Sequence, residues 1–124
     1  MSGPEWKLSD DLKTVTITFP TSPPVQFVLD AAAVDDLLRN LGELRAHMTP
    51  PVPADYQIGQ KVAAIPDPRW YTEPEMLSGD SLIHVRDPRF GWLHYLLPRA
   101  SAQQLAQYLT RQAEDEPCPP TRPN

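Results

Sequence analysis

The chain has 124 residues, one cysteine and a formal net charge of −5. That length supports one domain, or two half-units sharing a core, without disulfide or metal staples. One cysteine excludes a disulfide framework, and no apolar run approaches the ~18 residues of a membrane span.

The opening MSGPEWKLSDD lacks the basic start and apolar stretch of a signal peptide. The expectation is a soluble, cytoplasmic protein. Charge is uneven: residues 1–80 carry a net −6, residues 81–113 a net +3, and the segment from Glu114 a net −2. A basic second half can steer a complementary partner or a second copy of the chain. No dense basic stripe is present, which argues against nucleic acid as a partner.

Trp6-Lys7-Leu8 reads as a short strand closed by the turn-prone Ser9-Asp10-Asp11. In KTVTITF, residues 13–19, Val15, Ile17 and Phe19 alternate with threonines, the pattern of a half-buried strand. Pro20 to Pro24 form a connection, and Val25, Phe27 and Leu29 resume the alternation, giving a hairpin. Asp30 is placed to cap a helix over about 31–47. Val34, Leu37, Leu38, Leu41, Leu44 and Met48 form its apolar stripe. His47 suits the helix end as a cation, and Pro50-Pro51 stop the helix.

Residues 49–80 are too proline-rich for a long helix. They read as an ordered, irregular crossover, with a strand or turn within Tyr56–Ile65 and a short strand at Arg69–Thr72. Residues 82–86 and 91–97 then form a second hairpin across Asp87-Pro88-Arg89-Phe90-Gly91. Ser101 and Gln104 fit a capping box, with Ala102, Leu105, Ala106, Leu109 and Ala113 as a second stripe. Residues 114–124 read as a disordered tail.

Residues 15–41 and 83–109 align without a gap at an offset of 68, Val25 falling on Leu93, Phe27 on Tyr95, Leu29 on Leu97, Leu37 on Leu105 and Leu41 on Leu109. This pattern predicts an internal duplication of a hairpin–helix unit, possibly with an extra strand in front. The fold expected is α+β: a two-layer sandwich of four to six mostly antiparallel strands in one sheet, with two helices on one face. It comprises a single domain over 1–113, with unit one at 6–48, the crossover at 49–80 and unit two at 81–113.

Alternation also assigns the outer faces. In the first hairpin the outer face is Thr14, Thr16, Thr18, Gln26 and Val28, an ordinary solvated set. In the second it is Leu82, His84, Arg86, Trp92, His94 and Leu96, which calls for a cover. Either another protein chain, self or foreign, covers this face, or the crossover folds over it with Trp70 and Tyr71. Arg89 and Phe90 at the hairpin tip extend the candidate partner-binding set; the alternative is a Phe90 folded back on the sheet.

If Arg86 faces Trp92, His84 faces His94 at a Cβ separation of about 5 Å. Two imidazoles so placed can share a metal or respond to pH, with Asp80 or Glu75 as a third ligand only if it swings in from a loop. Asp67, Glu73, Glu75 and Asp80 show no recurring catalytic spacing. Phosphate-binding and nucleophile motifs are absent, and Cys118 has no nearby histidine in sequence.

The function expected is therefore a small non-enzymatic interaction module (adaptor, regulator or inhibitor), with homodimerisation as its close variant and no cofactor. The alternative is a small-molecule or metal-binding domain centred on His84, His94 and the crossover carboxylates. A third reading makes the acidic helix face of Asp35, Asp36 and Glu43 a nucleic-acid mimic.

Overall fold

The structure is a computed structural model and describes residues 3–115. It divides into two compact units, the first ending at Gln60 and the second beginning at Lys61. Among the described residues, no helix is long and apolar enough to cross a membrane. The class is α+β, with two three-stranded antiparallel sheets and two helices.

In the first unit, β1 (Glu5–Leu8), β2 (Thr14–Phe19) and β3 (Val25–Asp30) form a meander in the order β1-β2-β3. Trp6 faces Ile17, which faces Phe27; Leu8 faces Val15, which faces Leu29. Residues opposed across an antiparallel pair share a face, so one face is apolar and the other carries the threonines.

The β1–β2 turn is held by Ser9 and Asp11. Ser9 Oγ accepts from the amides of Lys13 and Thr14, while Asp11 Oδ1 accepts the Ser9 hydroxyl at 2.6 Å. Phe19 and Phe27 meet edge to face, 6.0 Å between centroids, a geometry that aromatic quadrupoles favour.

Helix α1 (Ala31–Arg45) starts where the sequence places it, because Asp30 Oδ1 accepts the Ala33 amide at 2.9 Å. Its Ala33 and Leu37 join Ile17, Phe19, Phe27 and Leu29 around an open apolar cleft of about 420 Å³. Ile17, on the central strand, is the one buried apolar residue among those described. After the helix, Arg45 donates to the Pro50 carbonyl at 2.9 Å. Residues 49–69 contain neither strand nor helix, and the segment expected as strand or turn contains a turn at Ile58–Gly59.

In the second unit, β4 (Trp70–Pro74), β5 (Ser81–Asp87) and β6 (Gly91–Leu97) form the meander β4-β5-β6, followed by α2 (Arg99–Glu114). The β4–β5 turn is built on Glu75, whose carboxylate accepts the amides of Leu77 and Ser78 and the Ser78 hydroxyl.

Three expectations need correction. First, the hairpins do not merge into one sheet: two separate three-stranded sheets are present. In each, the strand in front of the hairpin pairs with the hairpin's first strand, β1 with β2 and β4 with β5. With no shared sheet among the described residues, one common face for two helices is not defined.

Second, Ser101 does not cap α2. The cap is Pro98, three residues earlier, and it makes no side-chain cap hydrogen bond. Proline has the backbone torsion of a helix start, and Asp80 Oδ1 accepts the Arg99 amide at 3.3 Å. Third, Glu114 is the last residue of α2 rather than the first of a tail. The rest of that segment, 116–124 with Cys118, lies outside the described residues.

The element order strand–strand–strand–helix occurs in both units, and the helix starts, Ala31 and Arg99, keep the offset of 68. The hairpin registers do not. Val15 faces Leu29, whereas their counterparts Ile83 and Leu97 face Tyr95 and Ser81. The second hairpin is two residues tighter. An even shift keeps every side chain on its own face.

Asp30→Ala should lower stability by about 1 kcal/mol through loss of the cap, read as a reduced urea midpoint with an unchanged slope. Gly91 has φ +79° and open space where a Cβ would stand. Gly91→Ala should therefore cost about 1–2 kcal/mol from backbone conformation alone, measured in the same way.

Candidate binding face of the second sheet

The face starts at the β5–β6 turn. Asp87 faces Gly91, with Pro88, Arg89 and Phe90 between them. The Asp87 carboxylate is turned inward, 6% of the residue being exposed. Its Oδ1 accepts the amides of Arg89 (2.7 Å) and Phe90 (3.2 Å), and the Arg89 guanidinium donates to both carboxylate oxygens. Hydrogen bonds from the Arg89 side chain and amide hold the Asp87 carboxyl below the usual carboxylate range.

Gly91, the first residue of β6, takes the left-handed backbone step that follows the loop (φ +79°) without a Cβ penalty. The turn aims Arg89 and Phe90 outward. Phe90 is 53% exposed, with the Arg89 guanidinium 5.1 Å from its ring centre. It does not fold back as local core.

This turn sets the register of β5 against β6. Leu82 faces Leu96, His84 faces His94, and Arg86 faces Trp92. All six strand residues read from the sequence as the outer face thus share one face. Strand β4 adds two more, since Tyr71 faces His84 and Glu73 faces Leu82. Sequence reasoning missed both as members of this face. The alternation in Trp70-Tyr71-Thr72-Glu73-Pro74 would have found them, had the segment been placed as a third strand beside the hairpin.

Strand β4 extends the sheet sideways, and its Trp70 lies opposite Val85 on the other face. Trp92 is 42% exposed, Leu96 51% and Tyr71 59%.

At the centre lies a polar chain. Glu73 Oε2 is 2.9 Å from His84 Nε2, and His84 Nδ1 is 2.8 Å from His94 Nδ1. Tyr71 stacks on the His84 ring at 5.9 Å and 22°. An ionised carboxylate only accepts, so His84 Nε2 carries the proton facing Glu73. In the contact between the two Nδ1 atoms one ring donates and the other accepts, the roles being set by the tautomers. His94 is exposed.

The carboxylates weighed as third ligands are engaged in the β4–β5 turn: Glu75 by the amides and hydroxyl described above, Asp80 by the Arg99 amide. Among the described residues, no group of three or more His, Cys, Asp or Glu side chains is arranged to hold a metal ion. On the first unit, Asp36 is paired with Arg39 within α1, which offsets part of the acidic helix face.

Comparison with protein-family models, with curated proteins and with solved structures found no match. What this face does is therefore argued from its own chemistry.

Asp87 gives a pH prediction. Its folded-state pKa is depressed, so its contribution to stability is present above the unfolded value, about 3.9, and is lost as pH falls through the lowered folded value. Below about pH 4, wild type should lose stability more steeply than Asp87→Asn, measured as the urea midpoint against pH. Parallel curves would remove this role from Asp87.

Proposed function

We propose that the chain is a non-enzymatic protein-interaction module, an adaptor, regulator or inhibitor, that binds another chain with the outer face of its second sheet. The observation that carries this reading is a contrast between sheets. The corresponding face of the first sheet is Thr14, Thr16, Thr18, Gln26 and Val28; here it is Tyr71, Leu82, Trp92 and Leu96 around two histidines and Arg86. Exposed tryptophan, tyrosine and arginine are the residue types enriched where binding energy concentrates, and Trp92 at one end of the face and Leu96 at the other leave apolar area in water on either side of the polar centre.

The mechanism is steric and electrostatic. Trp92, Leu96 and Leu82 supply area removed from water. Arg86 and the tip residue Arg89 orient an acidic partner surface, consistent with the net +3 of residues 81–113. A second copy of the chain is the self-associating variant, and its contact through this face would be isologous. The face has no serine, threonine or cysteine for its histidines to activate, which favours binding over nucleophilic catalysis. A cytoplasmic setting fits a chain with one cysteine.

The test uses wild type and Trp92→Arg side by side, first in sedimentation equilibrium for self-association, then as paired baits, with any captured protein purified and its Kd measured. Trp92→Arg should weaken the contact by about 2 kcal/mol or more, some 30-fold in Kd, with an unchanged circular dichroism spectrum. A variant that unfolds would make Trp92 part of a core. A folded variant with unchanged association would move the contact elsewhere.

A further inference from the structure

We propose that His84 and His94 form a two-histidine site for a divalent transition cation of the kind that imidazole binds, such as copper(II), with Glu73 as the outer carboxylate that orients His84. The site goes beyond the docking role and does not depend on it.

Three observations carry this assignment. The two Nδ1 atoms approach to 2.8 Å, close enough for one ion to bridge them. Glu73 lies 2.9 Å from the far nitrogen of His84. This is the carboxylate–histidine arrangement that fixes the tautomer of a metal-ligating imidazole and raises its basicity. Finally, both ligands stand on paired strands, a rigid platform, and the exposure of His94 leaves water free to complete the coordination.

The proton balance closes without a co-reactant. With His84 carrying hydrogen at Nε2 toward Glu73 and His94 at Nδ1, the His94 proton lies in the 2.8 Å contact. On binding, the ion takes the place of that proton, which moves through solvent to His94 Nε2. Both Nδ1 lone pairs then face the ion, after each ring turns about its Cβ–Cγ bond, a torsion with a broad energy well. The charged groups on the same face are Glu73, whose negative charge favours the ion, and Arg86, one pair further along the strands, which opposes it.

The test adds copper(II) alone to the chelator-stripped full chain. We expect one ion per chain by calorimetry, and an axial electron paramagnetic resonance spectrum with coupling to two nitrogens. His84→Asn and His94→Asn should each reduce the spectrum to one histidine nitrogen and weaken binding at least 10-fold. Glu73→Gln, which keeps both ligands, should weaken it about 10- to 100-fold, and His47→Asn should change nothing. A wild-type spectrum showing a single histidine nitrogen, or binding unaltered in both histidine variants, would overturn the site. The wild-type spectrum decides the matter even if a variant fails to fold.

Discussion

The three-residue turn between β5 and β6 is the constraint on which the second unit's surface depends. Asp87 gathers the amides of Arg89 and Phe90 and the Arg89 guanidinium, and Gly91 supplies the left-handed backbone step. Together they fix which residues face each other over the whole length of two strands. A slip by one residue would send His94 and Trp92 to the other face of the sheet. A slip by two would keep the faces but place His84 opposite Leu96. The second slip is the register that the first unit's longer loop would impose if transposed here. The histidine contact is thus a product of loop length as much as of the histidines themselves.

The two sheets show how one element order serves different ends. In the first, the apolar side is turned toward α1, and the other side is a row of threonines that water can solvate. In the second, polar and aromatic groups alternate with apolar ones on the side that the first sheet leaves plain. The added strand matters in both. It closes one edge of each hairpin and, in the second unit, brings Tyr71 and Glu73 beside His84. Without β4 the two histidines would be an isolated pair. With it, they end a chain that begins at a carboxylate.

Much of the local structure was legible in the sequence because its signals are short-ranged. Alternation in Val15-Thr16-Ile17-Thr18-Phe19 marks a strand, and Asp30 marks a helix start. The spacing Arg86–Trp92 implied the facing histidines. What escaped was set by contacts between segments. Nothing in Ser101-Ala102-Gln103-Gln104 reveals that Pro98 begins the helix with help from Asp80, nineteen residues before the amide it receives. The expectation of one sheet was not met, because pairing between distant segments leaves no short-range signal in the sequence. The role of Glu73 was hidden because an acidic residue in a proline-rich stretch looks like any solvated loop charge until its register is known.

Every strand in the structure pairs with its immediate neighbour along the chain. That topology bears on the order of events during folding. Closing a loop of three to six residues costs little entropy compared with joining distant segments, and chains dominated by local contacts cross their folding barriers quickly. Each meander can form as soon as its own residues are available, so the first can be complete while the second is still being synthesised. The alignment of His84 with His94 is then an early, local event on the folding pathway.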